Sequence, residues 1–515
     1  MNEPLTIPHA ALTAAVRWPD AVAVIDGSER LSFRELADRM MEAAAAFVAA
    51  GLRPGERVGL WARNGLDWIV ACLGLQAAGG VLVPLNTRFK GGEAEFILGR
   101  SGAAMTIADE EFLGTRLADI VASLDLPTLR RTVRLGARGA QGWDAFLARA
   151  DEAARAEARR RVEALTPDDL SDIMFTSGTT GEPKGVMATH GQTIGIAFLW
   201  ARATTIGPKD KFLILWPFFH CSGYKAGWLV NLAAGAASLP EATLNVERLL
   251  ATIEREKVTF LPGPPTLFQT LLAMPDRRPA MLASLRVSIT GASTVAPSMI
   301  EAMRDDLGIP VVLTGYGLTE TCGTVTMTLP SDPPEIVTTS CGRAIEGIDI
   351  ACVDAEGRPV PAGEPGEVMV RGMNVMKGYL NDPEATAEAI DAGGWLRTGD
   401  VGTIDEAGYL RITDRKKDVF IVGGFNCYPA EIEKVLLAHP AILQAAVVGV
   451  PDERMGEVGE AHIVLKPGAT LDAAALIVWS RERMANFKVP RTVIIVDALP
   501  TNATGKVQKF KLAAS

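Results

Sequence analysis

The chain has 515 residues, 48% hydrophobic and 22% charged, enough apolar chain for more than one core and too much for a disordered protein. Its net charge of −10 argues against a general polyanion binder, because affinity for nucleic acid rests on cationic contacts to phosphate, and leaves open a local basic channel for one anionic cofactor. The six cysteines are scattered with no CxxC pair and the five histidines show no HExxH spacing, so reduced thiols are expected rather than a disulfide framework or a zinc site.

The opening MNEPLTIPHAALTAAVRWPDAV has no basic stretch followed by an apolar core, so no signal peptide and a cytoplasmic location are expected. The most apolar run, WIVACLGLQAAGGVLVPL at Trp68–Leu85, is long enough to span a membrane. Gln76, Gly79–Gly80 and Pro84 interrupt it, and it reads instead as a buried helix, a glycine turn and a buried strand. No transmembrane segment is expected.

Strand-like segments that end in Gly, Pro or Ser follow one another along the chain: ERVGLWA, VLVPL, DIMFTSG, KFLILWP, VTFLPG and LRVSITGA. Helical stretches such as Asp67–Ala78 and Asn245–Glu256 separate them. This alternation predicts an α/β fold, a large N-terminal domain of parallel sheets covered by helices, with ligands at the carboxyl ends of strands. Ala153–Arg161 reads as a charged helix with a solvated face. From about Asp349 the texture changes to short strands with AEG and GEPG turns, a small β-barrel or meander. After DRKKD at Asp414–Asp418 it changes again, to a helix, a strand, a helix and a strand, a compact α/β domain of about 100 residues. The expected division is 1–414 and 415–515, with the boundary at 414–417, where the resemblance described below would place the hinge of a mobile C-terminal domain.

FTSGTTGEPKG at Phe175–Gly185 follows the strand stub Ile173–Phe175. Gly178, Gly181 and Gly185 let backbone N–H groups wrap an anion, Ser177, Thr179 and Thr180 add hydroxyls, and Lys184 adds a cation. A P-loop would place Gly-Lys-Ser/Thr at a helix start. Here Pro183 precedes the lysine, Gly185 follows it and VMATH is β-like. A flap over the β- and γ-phosphates of a nucleotide fits better than a helix-anchored cradle.

This segment resembles the signature of the adenylate-forming enzymes: acyl-CoA synthetases, luciferases and adenylation domains. The other motifs of that superfamily follow in order over essentially the whole chain: GYGLTE at Gly315–Glu320, TGD at Thr398–Asp400, DRKKD, GGFNCYPAEIE at Gly423–Glu433 and PTNATGK at Pro500–Lys506. The resemblance implies two half-reactions: a carboxylate attacks the α-phosphate of ATP to give acyl-adenylate and pyrophosphate, and the thiolate of coenzyme A then displaces AMP. Both develop negative charge in a confined site, which fixed cations and dipoles stabilise. It implies that Glu320 holds Mg²⁺, with Thr176 as a direct or water-bridged second ligand. Tyr316 would stack on adenine, with Thr314, Gly315 and Thr319 lining the same turn and Gly291 and Ala292 beside the base. Asp400 would grip the ribose hydroxyls, and Arg415 the ribose or α-phosphate. Lys506 would reach the α-phosphate and the acyl carboxylate during adenylation. Lys417 would be the hinge whose rotation withdraws Lys506 and brings Gly423–Gly424 to the pantetheine arm.

In WPFFHCSGYKAGW, Trp216–Trp228, the resemblance makes His220 the ring between acyl pocket and nucleotide; a hydrogen-bonded core histidine is the alternative. Ser222, Gly223, Tyr224, Ala226 and Gly227 are expected to line the acyl pocket, the small residues among them leaving room for a ring-bearing or branched acid. Phe212–Asn231 contains no Asp or Glu, which argues against an amino-acid substrate, whose ammonium would be left unpaired. Lys225 is expected to face outward, with contact to a substrate oxygen as the alternative. FFHCSGYKAG, FLPGPPTLFQTLL and GFNCYPAEIE resemble bacterial ligases that activate the ring-propanoate left by steroid degradation; fatty-acid and aromatic-acid CoA ligases stand close behind. An acyl-AMP ligase serving a carrier protein would be expected to carry an insertion that blocks rotation, and none is evident. Intact Glu320, Asp400, Arg415 and Lys506 speak against a catalytically dead relative. Partners are then a small carboxylic acid, ATP and coenzyme A, with monomer and homodimer both open.

Overall fold

The segment around Gly79–Gly80 shows how the core is built. Leu66–Ala77 is a helix buried on all sides, Gly79 turns with a φ of +82°, and Val81–Pro84 is a fully buried strand. Gly74 lets this helix lie directly on the neighbouring helix Phe33–Ala49, where a Cβ would stand 2.4 Å from that of Ala43. This computed structural model describes residues 4–176, 182–274, 279–290, 297–354, 356–415, 420–427, 429–500 and 509–512. Among them no helix is long and apolar enough to cross a membrane.

The large lobe holds two main sheets with helices between and outside them. A seven-stranded sheet has the spatial order Gly378–Tyr379, Lys184–Thr189, Leu170–Thr176, Val81–Pro84, Arg57–Trp61, Met105–Asp109 and Arg131–Leu135. Its last five strands pair in parallel. These are the parallel strands the alternation implied; at the other edge Leu170–Thr176 pairs antiparallel with Lys184–Thr189, and that strand antiparallel with Gly378–Tyr379. The reason is the connection: the glycine-rich stretch returns the chain as a hairpin, which only antiparallel neighbours can use. The second sheet runs Glu29–Ser32, Val22–Asp26, Ala237–Pro240, Lys211–Ile214. Bridges through Phe260 extend it to the parallel pair Val287–Ile289 and Val311–Leu313.

The expected charged helix spans Glu152–Ala164. One face is solvated, as expected, and the other is packed: Ala154, Ala158 and Val162 are buried, and Arg161 donates to the carbonyls of Leu52 and Ala78 at 2.7 and 3.0 Å. Helix Val246–Glu256 begins at Asn245, whose side chain caps the Arg248 amide at 2.8 Å. Four antiparallel strands, Ile348–Val353, Gly366–Gly372, Leu396–Ile404 and Leu410–Arg415, form the meander expected after Asp349. Beyond it, five strands and the helices Pro429–Leu437 and Ala473–Arg481 make a small lobe around its own core, which includes Phe420, Ile432, Val447, Ile463 and Leu476.

Candidate active site

A cleft of about 2570 Å³ lies between the lobes, at the strand ends where an α/β fold places its ligands. Thr176 ends its strand in register with Lys184 on the returning one, so the two stand at the stem of the glycine-rich hairpin. The Lys184 ammonium lies over the Tyr379 ring, 5.1 Å from its centroid. The Tyr379 hydroxyl donates to Glu320 Oε1 at 3.0 Å, and the Glu320 carbonyl accepts from the Met376 amide at 2.8 Å. Burial pushes the Glu320 carboxyl above the ordinary glutamate value. A carboxylate raised in this way favours an incoming cation, since charge compensation returns what desolvation took. Tyr379 was not singled out from the sequence. Its signal was the short strand Gly378–Tyr379, too brief for a periodicity argument.

Across the cleft, the Tyr316 hydroxyl donates to Asp400 Oδ2 at 2.6 Å, and Asp400 is 5% exposed. The Asp400 amide donates to Thr398 Oγ1 at 3.1 Å, and that hydroxyl in turn donates to the Val368 carbonyl at 2.7 Å, so the turn Thr398–Asp400 is fixed from beneath. Arg415 is in register with Asp400; its side chain lies outside the description. Thr314 lines the cleft, yet its hydroxyl is taken up by the carbonyls of Val337 and Ser340 at 3.2 and 3.0 Å. Gly315 and Thr319 also line it. Gly317 admits no side chain: a Cβ there would stand 2.4 Å from the Gly323 carbonyl oxygen.

His220 is exposed to the cleft, so the alternative of a core histidine does not hold. Its Nδ1 accepts from the Ser222 amide at 3.3 Å and contacts the Ser222 hydroxyl at 2.9 Å, which fixes the ring. Of the residues expected around the acyl group, Ser222 and Ala226 line the cleft. Gly223 and Gly227 do not: a Cβ on Gly223 would lie 2.2 Å from the Pro217 carbonyl oxygen. Tyr224 points the other way. It is fully buried beside Trp68 and Trp228, its hydroxyl accepting from Gln76 Nε2 at 2.8 Å. A π-helical turn over Tyr224–Trp228 causes this: the wider turn shifts which residues face the cavity.

Lys225 is also a correction. It is neither outward-facing nor at the cleft but 1% exposed, its ammonium 2.8 Å from Asp172 Oδ1. The other oxygen, Asp172 Oδ2, accepts from Ser171 and Thr193 at 2.7 and 3.0 Å. Burial pulls the Lys225 ammonium toward its neutral form and Asp172 more than reverses this, leaving it above the ordinary lysine value. A carboxylate therefore does lie behind the acyl wall, though Phe212–Asn231 contains none, and a lysine occupies it.

In the small lobe, Gly423 and Gly424 form a turn between Phe420–Val422 and Phe425–Cys427 with φ of +55° and +87°. They line the cleft, and a Cβ on Gly424 would stand 4.0 Å from Pro264 of the large lobe. Ser177, Gly178, Thr179, Thr180, Gly181, Gly291, Ala292, Lys417 and Lys506 lie outside the described residues. Among the described residues no cluster of three His, Cys, Asp or Glu could hold a metal by itself. The two residues expected to hold Mg²⁺, Glu320 and Thr176, both line the cleft with oxygen donors, the type a hard cation takes alongside phosphate and water.

A large lobe with a glycine-rich hairpin, an acidic turn facing a tyrosine–aspartate pair, and a small lobe closing the same cleft define a nucleotide-dependent, two-lobed enzyme. The chain belongs to the AMP-binding enzyme family: that family's model matches residues 12–380, and the model of the AMP-binding enzyme C-terminal domain matches 431–506. It is 48% identical over 516 residues to a 3-[(3aS,4S,7aS)-7a-methyl-1,5-dioxo-octahydro-1H-inden-4-yl]propanoyl:CoA ligase of Rhodococcus jostii, covering 99% of this chain and 98% of that one. Two solved structures of o-succinylbenzoate-CoA synthetase from Bacillus subtilis match over nearly the full length. A double mutant bound to a product analogue, OSB-NCoA, gives a TM-score of 0.83 at 29% identity, covering 99% of this chain and 98% of that chain. The complex with AMP gives 0.70 at 30% identity, covering 98% of each. With these likenesses the expectation of an AMP-forming, ATP-dependent acyl-CoA synthetase, an acid–thiol ligase, stands.

Proposed function

We propose that the chain activates a ring-bearing propanoate of the bicyclic diketone type and joins it to coenzyme A. The observation that carries this reading is the 48% identity, over almost the whole of both chains, to a ligase named for that acid. A carboxylate oxygen of the acid attacks the α-phosphorus of ATP, and the bond to pyrophosphate breaks. The thiolate of coenzyme A then attacks the acyl carbon and AMP leaves.

The residues divide the work as follows. Asp400, which accepts from Tyr316, holds the ribose hydroxyls, and Tyr316 presents its ring to the base. Lys184 and the hairpin amides take the outer phosphates. Glu320 and Thr176 would hold Mg²⁺, which supplies charge neutralisation for those phosphates. Arg415 serves the ribose or the α-phosphate, and Lys506 serves the α-phosphate and the acyl carboxylate, only in adenylation. His220, fixed by Ser222, separates the acyl group from the nucleotide. The acyl wall of Ser222 and Ala226 offers no free carboxylate, because Asp172 is committed to Lys225, and so it suits an uncharged ring better than an ammonium. The lobes divide at 414–417 and turn about Lys417 between the half-reactions. Gly423 and Gly424 then flank the pantetheine arm, whose approach a side chain would obstruct.

The test is pyrophosphate release across fatty, aryl and polycyclic propanoic acids, each with and without coenzyme A. The reading expects the bicyclic keto acid to lead the series and to yield its thioester. Greater efficiency with a straight-chain or simple aromatic acid would replace the substrate assignment. Pyrophosphate release that never yields a thioester would replace the reaction.

A further inference from the structure

The surface between the lobes carries a buried charge cluster that neither half-reaction, as described above, employs. Lys488 of the small lobe is 5% exposed. Its ammonium lies 2.5 Å from Glu431 Oε1 in its own lobe and 2.9 Å from Glu93 Oε1 of the large lobe. It also lies over the Phe89 ring of the large lobe, 4.8 Å from the centroid. Beside it the Arg88 guanidinium of the large lobe covers the ring of Phe425, at 5.2 Å, and Phe425 stacks on Phe487. Phe425 directly follows the Gly423–Gly424 turn, so the contact that seats the turn and the contact that buries Lys488 belong to one patch.

We propose that Glu93 and Lys488 are a positioning pair for the thioester-forming half-reaction, holding the small lobe where the Gly423–Gly424 turn meets the cleft. The inference rests on the two-half-reaction reading above.

Two features suit the pair to opening and closing. Glu93 uses Oε2 to cap its own helix, accepting from the Lys90 amide at 2.9 Å, and offers only Oε1 to Lys488. Lys488 keeps Glu431 wherever its lobe goes. Neither charge is stranded on separation, so opening avoids the heavy penalty of an unpaired buried ion. Rotation of a few ångströms at this edge breaks the bridge between the lobes and leaves both partial pairs intact. Over the whole chain the TM-score is 0.83 with the product-analogue complex of the Bacillus subtilis synthetase and 0.70 with its AMP complex.

The test is Glu93→Gln, an isosteric change that keeps the helix cap, with Lys488→Arg as the conservative companion. Pyrophosphate exchange reports adenylation, and thioester formation from supplied acyl-adenylate reports the second step. Measured first on the wild type, the two assays decide the underlying reading independently of the variants. The inference predicts that Glu93→Gln slows the second step about five- to tenfold while exchange stays within about twofold, and that Lys488→Arg retains most of the second step. A spin-label distance between Asp38→Cys and Lys466→Cys, both exposed, should show a second population growing in Glu93→Gln. Equal slowing of both steps would make the pair merely structural and overturn the proposal. So would an unchanged second step, or a distance distribution identical to wild type.

Discussion

Asp172 and Lys225 offer the sharpest energetic test of the acyl wall. The pair is almost completely buried, at 0% and 1% exposure, and Cys322 Sγ, 3.7 Å from Nζ, is a weak substitute partner. Lys225→Met would leave a buried carboxylate with only the Ser171 and Thr193 hydroxyls as donors. Removing one member of a buried pair costs about 3–5 kcal/mol, and the two surviving hydroxyl bonds place this variant near the lower end, about 3 kcal/mol. Asp172→Asn strands the ammonium and should cost about the same or more. In the double variant no charge remains buried, and the loss should shrink to about 1 kcal/mol, a coupling of several kcal/mol. The assay is guanidinium unfolding of all four proteins followed by tryptophan fluorescence, since Trp68 and Trp228 lie beside this site and report on the large lobe. Single variants that each lose under about 1 kcal/mol, or a double variant as unstable as the sum, would refute the argument.

Further tests concern titration, shape and nucleotide binding. Burial lowers the His190 pKa from 6.5 to about 4. A depressed native pKa means the unfolded chain binds the proton first, so this contribution is present above 6.5 and is lost as pH falls toward 4, by about 3 kcal/mol in total. Urea unfolding across that range should show the slope, and His190→Gln should flatten it. Ala226→Leu adds three carbons to the acyl wall and should lower kcat/KM for a polycyclic acid about tenfold or more while sparing a short one. Asp400→Asn keeps a partner for Tyr316 and removes the charge; the KM for ATP should rise about tenfold or more, in a nucleotide titration at saturating acid.

Much of the fold was legible because local chemistry agreed with it. The glycines at 79–80 break an apolar run into helix and strand, and the two changes of texture after residue 348 mark the meander and the small lobe. The site was legible where a motif is contiguous, as in Gly315–Glu320 and Thr398–Asp400. It was illegible where function depends on distant pairing. Lys225 looks like a surface lysine because its partner is 53 positions earlier, on another element. Tyr379 meets Glu320 across 59 positions, and Lys488 meets Glu93 across 395. Tyr224 misled for a different reason: a π-helical turn breaks the 3.6-residue period on which facing arguments depend.

The central claim is that one cleft serves two half-reactions through two placements of the small lobe, with Lys506 needed in only one. Lys506→Ala tests it most directly, by pyrophosphate exchange with acid and ATP set beside thioester formation from supplied acyl-adenylate. The account predicts that exchange falls by several orders of magnitude and that thioester formation stays within a few-fold of wild type. Loss of both activities to the same degree would contradict it.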